Sequence, residues 1–193
     1  MPLSIFNIHD LVEQIGIGEV EKMLHSFSCP LNHEIEDFLH DKAMSFAKQK
    51  TSVTYLVFNE DMELLGYFTL AGKILSVTCK GLSKTTQKKI LRYGINDTDS
   101  DCLQSFAYLI AQFGKNYNLP VNKRICGNDL MNCAFDALHD VQRRIGGGIA
   151  FLECENKPKL LDFYQHCDNQ FTVSGSRTST KTNINYIQMI HLF

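Results

Sequence analysis

Three patterns in the sequence predict an α/β fold. An apolar run over residues 105–114 is followed by a basic, glycine-containing turn, a long amphipathic helix and a second apolar run over 148–154. Strand, helix and strand in that order form a βαβ unit, whose strands should be parallel and joined right-handedly. Upstream, residues 52–58 and 64–77 are runs rich in β-branched and aromatic residues, separated by the polar turn 59–62, which reads as an antiparallel hairpin. Before the hairpin, apolar residues recur at three- and four-residue steps, as in helices that bury one face. At 193 residues the chain fits one domain, 1–193, with 80–101 as an insertion between strands.

The elements follow in order. Leu11, Val12 and Ile15, then Val20, Met23 and Leu24, mark two short helices, with Gly16 and Gly18 at the turn between them. Asn32 is an N-cap for the next helix, whose first turn carries Glu34, Glu36 and Asp37 and whose stripe is Ile35, Phe38, Leu39, Ala43, Phe46 and Ala47. The insertion crowds Lys80, Lys84, Lys88, Lys89 and Arg92 before Asp97, Asp99 and Asp101, with a short helix expected over 83–93. The run at 105–114 is nearly all apolar, as a central strand covered on both faces should be. The helix that opens at Gly127 places Leu130, Ala134, Leu138, Val141 and Ile145 on one stripe and stops at Gly146, Gly147 and Gly148. Pro158 suits the first position of a further helix, and strands at 170–174 and 184–192 close the chain around a Ser/Thr/Gly-rich loop at 174–183.

Composition narrows the function classes. A net charge of −2 gives no global attraction to nucleic acid or acidic membranes, so neither is expected as a partner. No apolar run approaches the roughly 20 residues of a membrane span. The first 15 residues carry Asp10 and Glu13 without a basic start, so no signal peptide is expected. Seven cysteines without a C-x-x-C pair point to free thiols in a reducing cytoplasm rather than to a disulfide or zinc framework. His25, His33 and His40 lack metal-ligand spacing and read as surface residues, and no metal is expected.

The turn between 115 and 126 holds Lys115, Lys123 and Arg124 and runs into a helix N-terminus. Unpartnered N–H groups and the helix dipole make such a place an anion site. Arg124, Gly127 and Asp129 stand at the positions of an [RQ]-x-x-G-x-[GA] pattern, and Leu160, Phe163 and Tyr164 fit A-x-x-[LF]-Y. With Cys29, Pro30, Leu31 and Asn32 opening a helix before the 64–71 strand, these segments resemble the GCN5-related N-acetyltransferase (GNAT) superfamily, in the bacterial branch that includes toxin-type acetyltransferases. The resemblance runs from about residue 28 to the end, apart from 80–101. Asp129 replaces a small residue, the loop before the motif is longer than usual, and Lys157 takes the family's Asn position, with Asn156 one place off.

The resemblance implies a mixed, mostly antiparallel sheet with a central parallel βαβ acyl-CoA unit and helices on both faces. It implies acetyl-CoA as co-substrate, with its pantetheine along Phe113, Gly114 and Lys115. The pyrophosphate would rest on Arg124, Ile125, Cys126, Gly127, Asn128, Asp129 and Leu130, and Asn156 and Phe163 would complete the cofactor contacts. A backbone N–H near Phe113 would face the thioester oxygen. Tyr164 would be the general acid for the leaving thiolate, and Glu153 or Glu155 the base for a primary amine acceptor. His166 is set aside because it points elsewhere on the helix. Two other readings stay open: transfer to the amino group of aminoacyl-tRNA, and a non-catalytic module that binds acyl-CoA or a protein. Exposed strand edges also leave a homodimer open.

Overall fold

The structure is a computed structural model that describes residues 2–79, 82–97, 102–180 and 182–193. Lys80, Asp99 and Asp101 of the expected insertion lie outside the described residues. The chain divides into two compact units, residues 1–71 with 110–137, and residues 72–109 with 138–193.

In the first unit, β1 (Ser4–Asn7) pairs antiparallel with β2 (Val53–Phe58), and β2 pairs antiparallel with β3 (Leu64–Thr78). Strand β1 was not expected from the sequence. The hairpin turn is built by Asn59, whose amide donates to Glu63 and accepts the Glu63 N–H, while Met62 takes a positive φ of 58°. Register is fixed inside the sheet by Thr54 and Thr69, whose buried hydroxyls pair at 2.9 Å directly across the strands.

Four short helices cover this sheet: α1 (Ile8–Ile15), α2 (Ile17–His25), α3 (His33–Asp37) and α4 (Ala43–Lys48). Asn32 caps α3 through Glu34, as the sequence indicated, and Asn7, not singled out there, caps α1 through the His9 and Asp10 N–H groups. Gly16, at φ +82°, makes the corner between α1 and α2. Between α3 and α4 the helical hydrogen bonding widens to a π turn over Phe38–Lys42. The helices bury Leu11, Val20, Leu24, Leu39 and Ala43 against Leu56, Phe58 and Tyr67. Tyr67 is fully buried, and its hydroxyl donates to the Ile35 carbonyl at 2.6 Å, which ties α3 to β3.

The second unit contains α5 (Lys84–Leu91), β4 (Gly94–Asp97), β6 (Ile149–Glu155), α7 (Pro158–Gln165), β7 (Thr172–Thr178) and β8 (Asn185–Leu192). Strand β5 (Cys102–Lys115) and helix α6 (Gly127–Ile145) each begin in one unit and end in the other. The insertion is therefore more structured than expected: α5 buries Ile90 against Leu75, Val77, Leu103 and Ala107, and β4 pairs with the start of β5. Strand β6 pairs parallel with β5 and antiparallel with β8, and β8 pairs antiparallel with β7, so parallel and antiparallel ladders mix. Strand β7 runs to Thr178, which shortens the expected closing loop.

The triple glycine does more than stop α6. Gly146 and Gly147 take φ of +75° and +101°, which L side chains rarely adopt. The Tyr108 hydroxyl donates to the Gly146 carbonyl, and a Cβ on Gly148 would collide with the Tyr93 ring.

Candidate acyl-CoA and proton-transfer sites

In the first unit the site is built where β5 gives way to α6. Gly114 is buried because its neighbours leave no room: a Cβ there would sit 2.5 Å from Ile35 Cγ2. Gly66 on β3 is equally tight, since its Cβ would meet the Gly114 carbonyl oxygen at 2.8 Å. The next residues are hung on Asn116, which is 2% exposed. Its amide donates to the Leu64 carbonyl at 2.8 Å and accepts the Ser28 and Asn118 N–H groups, each at 3.0 Å. Lys115, just before it, has no carboxylate partner among the described residues, and its ammonium lies 5.8 Å from the Tyr117 ring centroid.

Arg124 shapes the loop from inside. Its Nε donates to the Leu119 carbonyl and its Nη2 to the Tyr117 carbonyl, both at 2.8 Å, with the guanidinium 5.1 Å from the Tyr117 ring. Lys123 instead pairs with Glu63 at 2.8 Å. Ile125 is buried and Cys126 exposed, with the Cys126 sulfur accepting the Asp129 N–H at 3.3 Å, so the thiol caps α6. Leu130 is fully buried, while the Asp129 side chain is exposed, as expected of a first-turn residue facing solvent. The first turn of this 19-residue helix is half-buried at Gly127 and Asn128, and with Lys115 and Arg124 in the loop before it, it suits an anionic ligand.

In the second unit, the parallel pairing of β5 with β6 is confined to two rungs, Tyr108↔Ala150 and Leu109↔Phe151, among the described residues. Strand β6 continues to Glu155, paired with β8 at every step. Residues Phe151, Glu153 and Glu155 alternate onto one face and Leu152 and Cys154 onto the other. Glu153 accepts two hydrogen bonds from Arg177 Nε, at 2.9 and 2.8 Å, one from Arg177 Nη2 at 2.5 Å, and one from Gln188 at 2.9 Å. Burial alone would raise its pKa, but the bonds from Arg177 and Gln188 and the charge of Lys73 outweigh it and hold the carboxyl below the usual range. A carboxylate so engaged is an ion-pair anchor. Glu155 pairs with Lys157 at 2.5 Å. Asn156 is exposed, and its N–H donates to the Asn185 carbonyl.

Tyr164 lies on α7, which Pro158 starts at its first turn. It is 8% exposed and packs edge-on against Phe163 and Phe171, at centroid distances of 5.0 and 5.8 Å. The helix end is fixed from both sides: Asn169 donates to the Phe163 carbonyl at 2.7 Å and the Phe171 N–H to the Tyr164 carbonyl at 2.9 Å. Burial pushes the phenol well above its usual pKa. His166, set aside at the sequence level, sits with Cys167 and Asp168 on the exposed turn that follows, their ligand atoms within 4.8 Å of one another.

Phe113, Gly114, Lys115 and residues 124–130 thus fall in one unit, and Glu153, Glu155, Asn156, Phe163 and Tyr164 in the other. Asn116, Arg177 and Gln188 were not singled out in the sequence. Asn116 carries no motif, and Arg177 reads as part of a Ser/Thr/Gly-rich loop until β7 is seen to include it.

The chain has the GNAT fold. No protein-family model matches it, and no curated protein matches it. Solved structures share its architecture over nearly all of its length. AtaT complexed with acetyl-methionyl-tRNAfMet is 18% identical, covering 96% of this chain and 94% of that one, at a TM-score of 0.63. A Tyr-to-Phe mutant of KacT is 17% identical over 97% and 95%, at 0.63. A Tyr-to-Phe mutant of the AtaT toxin, bound to acetyl-CoA and the C-terminus of the antitoxin AtaR, is 16% identical over 96% and 91%, at 0.57. Among the described residues no helix is long and apolar enough to cross a membrane.

Proposed function

We propose that the protein is an acetyl-CoA-dependent N-acetyltransferase acting on a primary amine, in the cytoplasm of a bacterium. The observation that carries this reading is the β5–loop–α6 arrangement, with a half-buried helix N-terminus behind a loop braced by Arg124. Acetyl-CoA suits that donor set, because its pyrophosphate is the anion the turn at 124–130 favours. Its pantetheine would pair with the β5 backbone at Phe113, Gly114 and Lys115, and Asn156 and Phe163 are assigned to the cofactor's remaining contacts. A backbone N–H near Phe113 aimed at the thioester oxygen would lower the barrier by about 3 kcal/mol.

The amine nitrogen bonds to the acetyl carbonyl carbon and the carbon–sulfur bond breaks. Tyr164 then gives its phenolic proton to the departing thiolate, and the amine's proton passes to Glu155 or to water. Support for Tyr164 is its place in the Phe163-Tyr164 pair.

A second reading narrows the acceptor to the amino group of aminoacyl-tRNA. One observation favours it: Glu153 and Glu155 are both tied to cations, which leaves no unpaired base among the expected carboxylates. An α-amino group titrates near ~7.7–8.0 and a lysine amine near ~10.4, so at pH 7 roughly a tenth of the first is neutral without a base, against well under a thousandth of the second. AtaT, in complex with acetyl-methionyl-tRNAfMet, has the same fold. By the same likeness, an antitoxin is the proposed protein partner.

The test is calorimetric titration with acetyl-CoA, then thiol release with small amines, lysine peptides and methionyl-tRNA. Binding with release confined to methionyl-tRNA selects the second reading. Absence of binding overturns both.

A further inference from the structure

The most elaborate side-chain arrangement in the second unit is the one around Glu153. Strand register places Glu153 opposite Gln188 and Gln188 opposite Gly175, while Arg177 faces Tyr186 in the adjoining row. Gly175 makes room for the amide, since a Cβ there would meet Gln188 Oε1 at 2.8 Å. Gln188 can therefore turn its amino group onto Glu153. Arg177 leans across the same strand to the same carboxylate, with its guanidinium 5.1 Å from the Tyr186 ring centroid.

The carboxylate is nearly covered, at 15% side-chain exposure, but Arg177 is 50% exposed. A guanidinium has five N–H donors, and the bonds to Glu153 come only from Nε and Nη2. Its Nη1 group makes no hydrogen bond among the described residues. Lys73 approaches from β3, with its ammonium 4.6 Å from the Phe151 ring centroid, and its charge acts on Glu153. One negative charge therefore faces two positive ones, and the arrangement is net cationic. Glu155, the next carboxylate on that face, is occupied by Lys157. An arginine held edge-on by a carboxylate and face-on by a tyrosine has already lost most of its rotamer freedom, which favours fork-like binding of an anion.

We infer that Arg177, positioned by Glu153, Gln188 and Tyr186, is a specificity-determining residue that receives a phosphate or carboxylate group of the acceptor. The role of Glu153 is then to position Arg177. This rests on the acetyltransferase reading for the word acceptor, while the anion contact itself does not.

Two measurements test it. The first is kcat/KM at saturating acetyl-CoA for matched amines, O-phosphoethanolamine against ethanolamine and β-alanine against propylamine. Wild type should prefer the anionic member of at least one pair about tenfold, as expected for a charge-assisted bidentate contact. Preference for the phosphate pair alone identifies a phosphate as the group, and for the carboxylate pair alone a carboxylate. Arg177→Ala should remove the preference, Arg177→Lys should keep part of it, and Glu153→Gln should lower it through KM while the pH–rate profile keeps its shape. An unchanged preference in Arg177→Ala, or loss of the acid limb in Glu153→Gln, overturns the inference.

The second uses full-length protein labelled at arginine with ¹⁵N, titrated with inorganic phosphate and with acetate. The Arg177 Nε–Hε resonance should move on saturation, less so in Glu153→Gln. No movement with either anion overturns the contact even if no amine is turned over. A moving resonance in a protein that does not bind acetyl-CoA would instead retain the contact and reject the enzyme.

Discussion

Replacing Asn116 by alanine should be among the most damaging changes in the first unit. The side chain is 2% exposed and serves three backbone groups: the Leu64 carbonyl, the Ser28 N–H and the Asn118 N–H. Each lost hydrogen bond costs about 1 kcal/mol net, and buried partners left unpaired cost at least that, so the total is about 3 kcal/mol. For a chain of this size that corresponds to a fall in Tm of about 6–12 °C. Thermal and urea unfolding followed by circular dichroism measure it. Asn116→Asp sharpens the test. It keeps both accepted bonds but sets a buried carboxylate against the Leu64 carbonyl, so its folded-state pKa is raised. A raised pKa means the variant loses stability as pH rises and recovers as pH falls toward 4. A Tm within about 2 °C of wild type for Asn116→Ala would refute the view that this side chain holds the start of the loop.

Other changes probe other links. Tyr164→Phe should cut turnover about 100-fold or more while leaving acetyl-CoA affinity near wild type, and unchanged turnover would remove the acid role. Gly114→Ala should destabilise the first unit by about 1–3 kcal/mol, read in urea unfolding, because the added methyl group overlaps the Ile35 side chain. Tyr67→Phe strands the Ile35 carbonyl and should cost about 1–2 kcal/mol by the same assay. Glu153 has a depressed pKa, so its contribution is present above the unfolded value near ~4.3 and is lost as pH falls through the folded value. Glu153→Gln should flatten the stability–pH curve in that acidic window, measured by thermal unfolding across pH 3–6.

How much of this was legible in the sequence depended on whether the signal was local. The N-caps Asn7 and Asn32, the hairpin turn, the α6 stripe from Leu130 to Leu138 and the Pro158 start all act within a few residues, and all but the Asn7 cap could be read directly, whereas Ile145, read as the end of that stripe, is 69% exposed. Strand β1 is only four residues long and has little pattern of its own; its partners lie some 50 positions away. Strand β7 is rich in serine, threonine and glycine, and it is a strand because β8 offers it a ladder. The site divides the same way. Arg124, Gly127 and Tyr164 stand in spaced motifs. Arg177 reaches Glu153 across β8, and Asn116 reaches Leu64 and Ser28, contacts set by register and not by spacing along the chain.

The π turn at Phe38–Lys42 has a consequence for how this helical segment tolerates length changes. A π turn is an α-helix holding one residue more than its hydrogen bonds call for. Deleting one residue between 38 and 42 would let regular bonding resume. The helix beyond would keep its orientation, because the widened turn already absorbs the extra residue, so Ala43 and Ala47 would stay in the core they now occupy. The irregular turn is thus the place where this helical segment can lose a residue while Ala43 and Ala47, which follow it, go on facing the core.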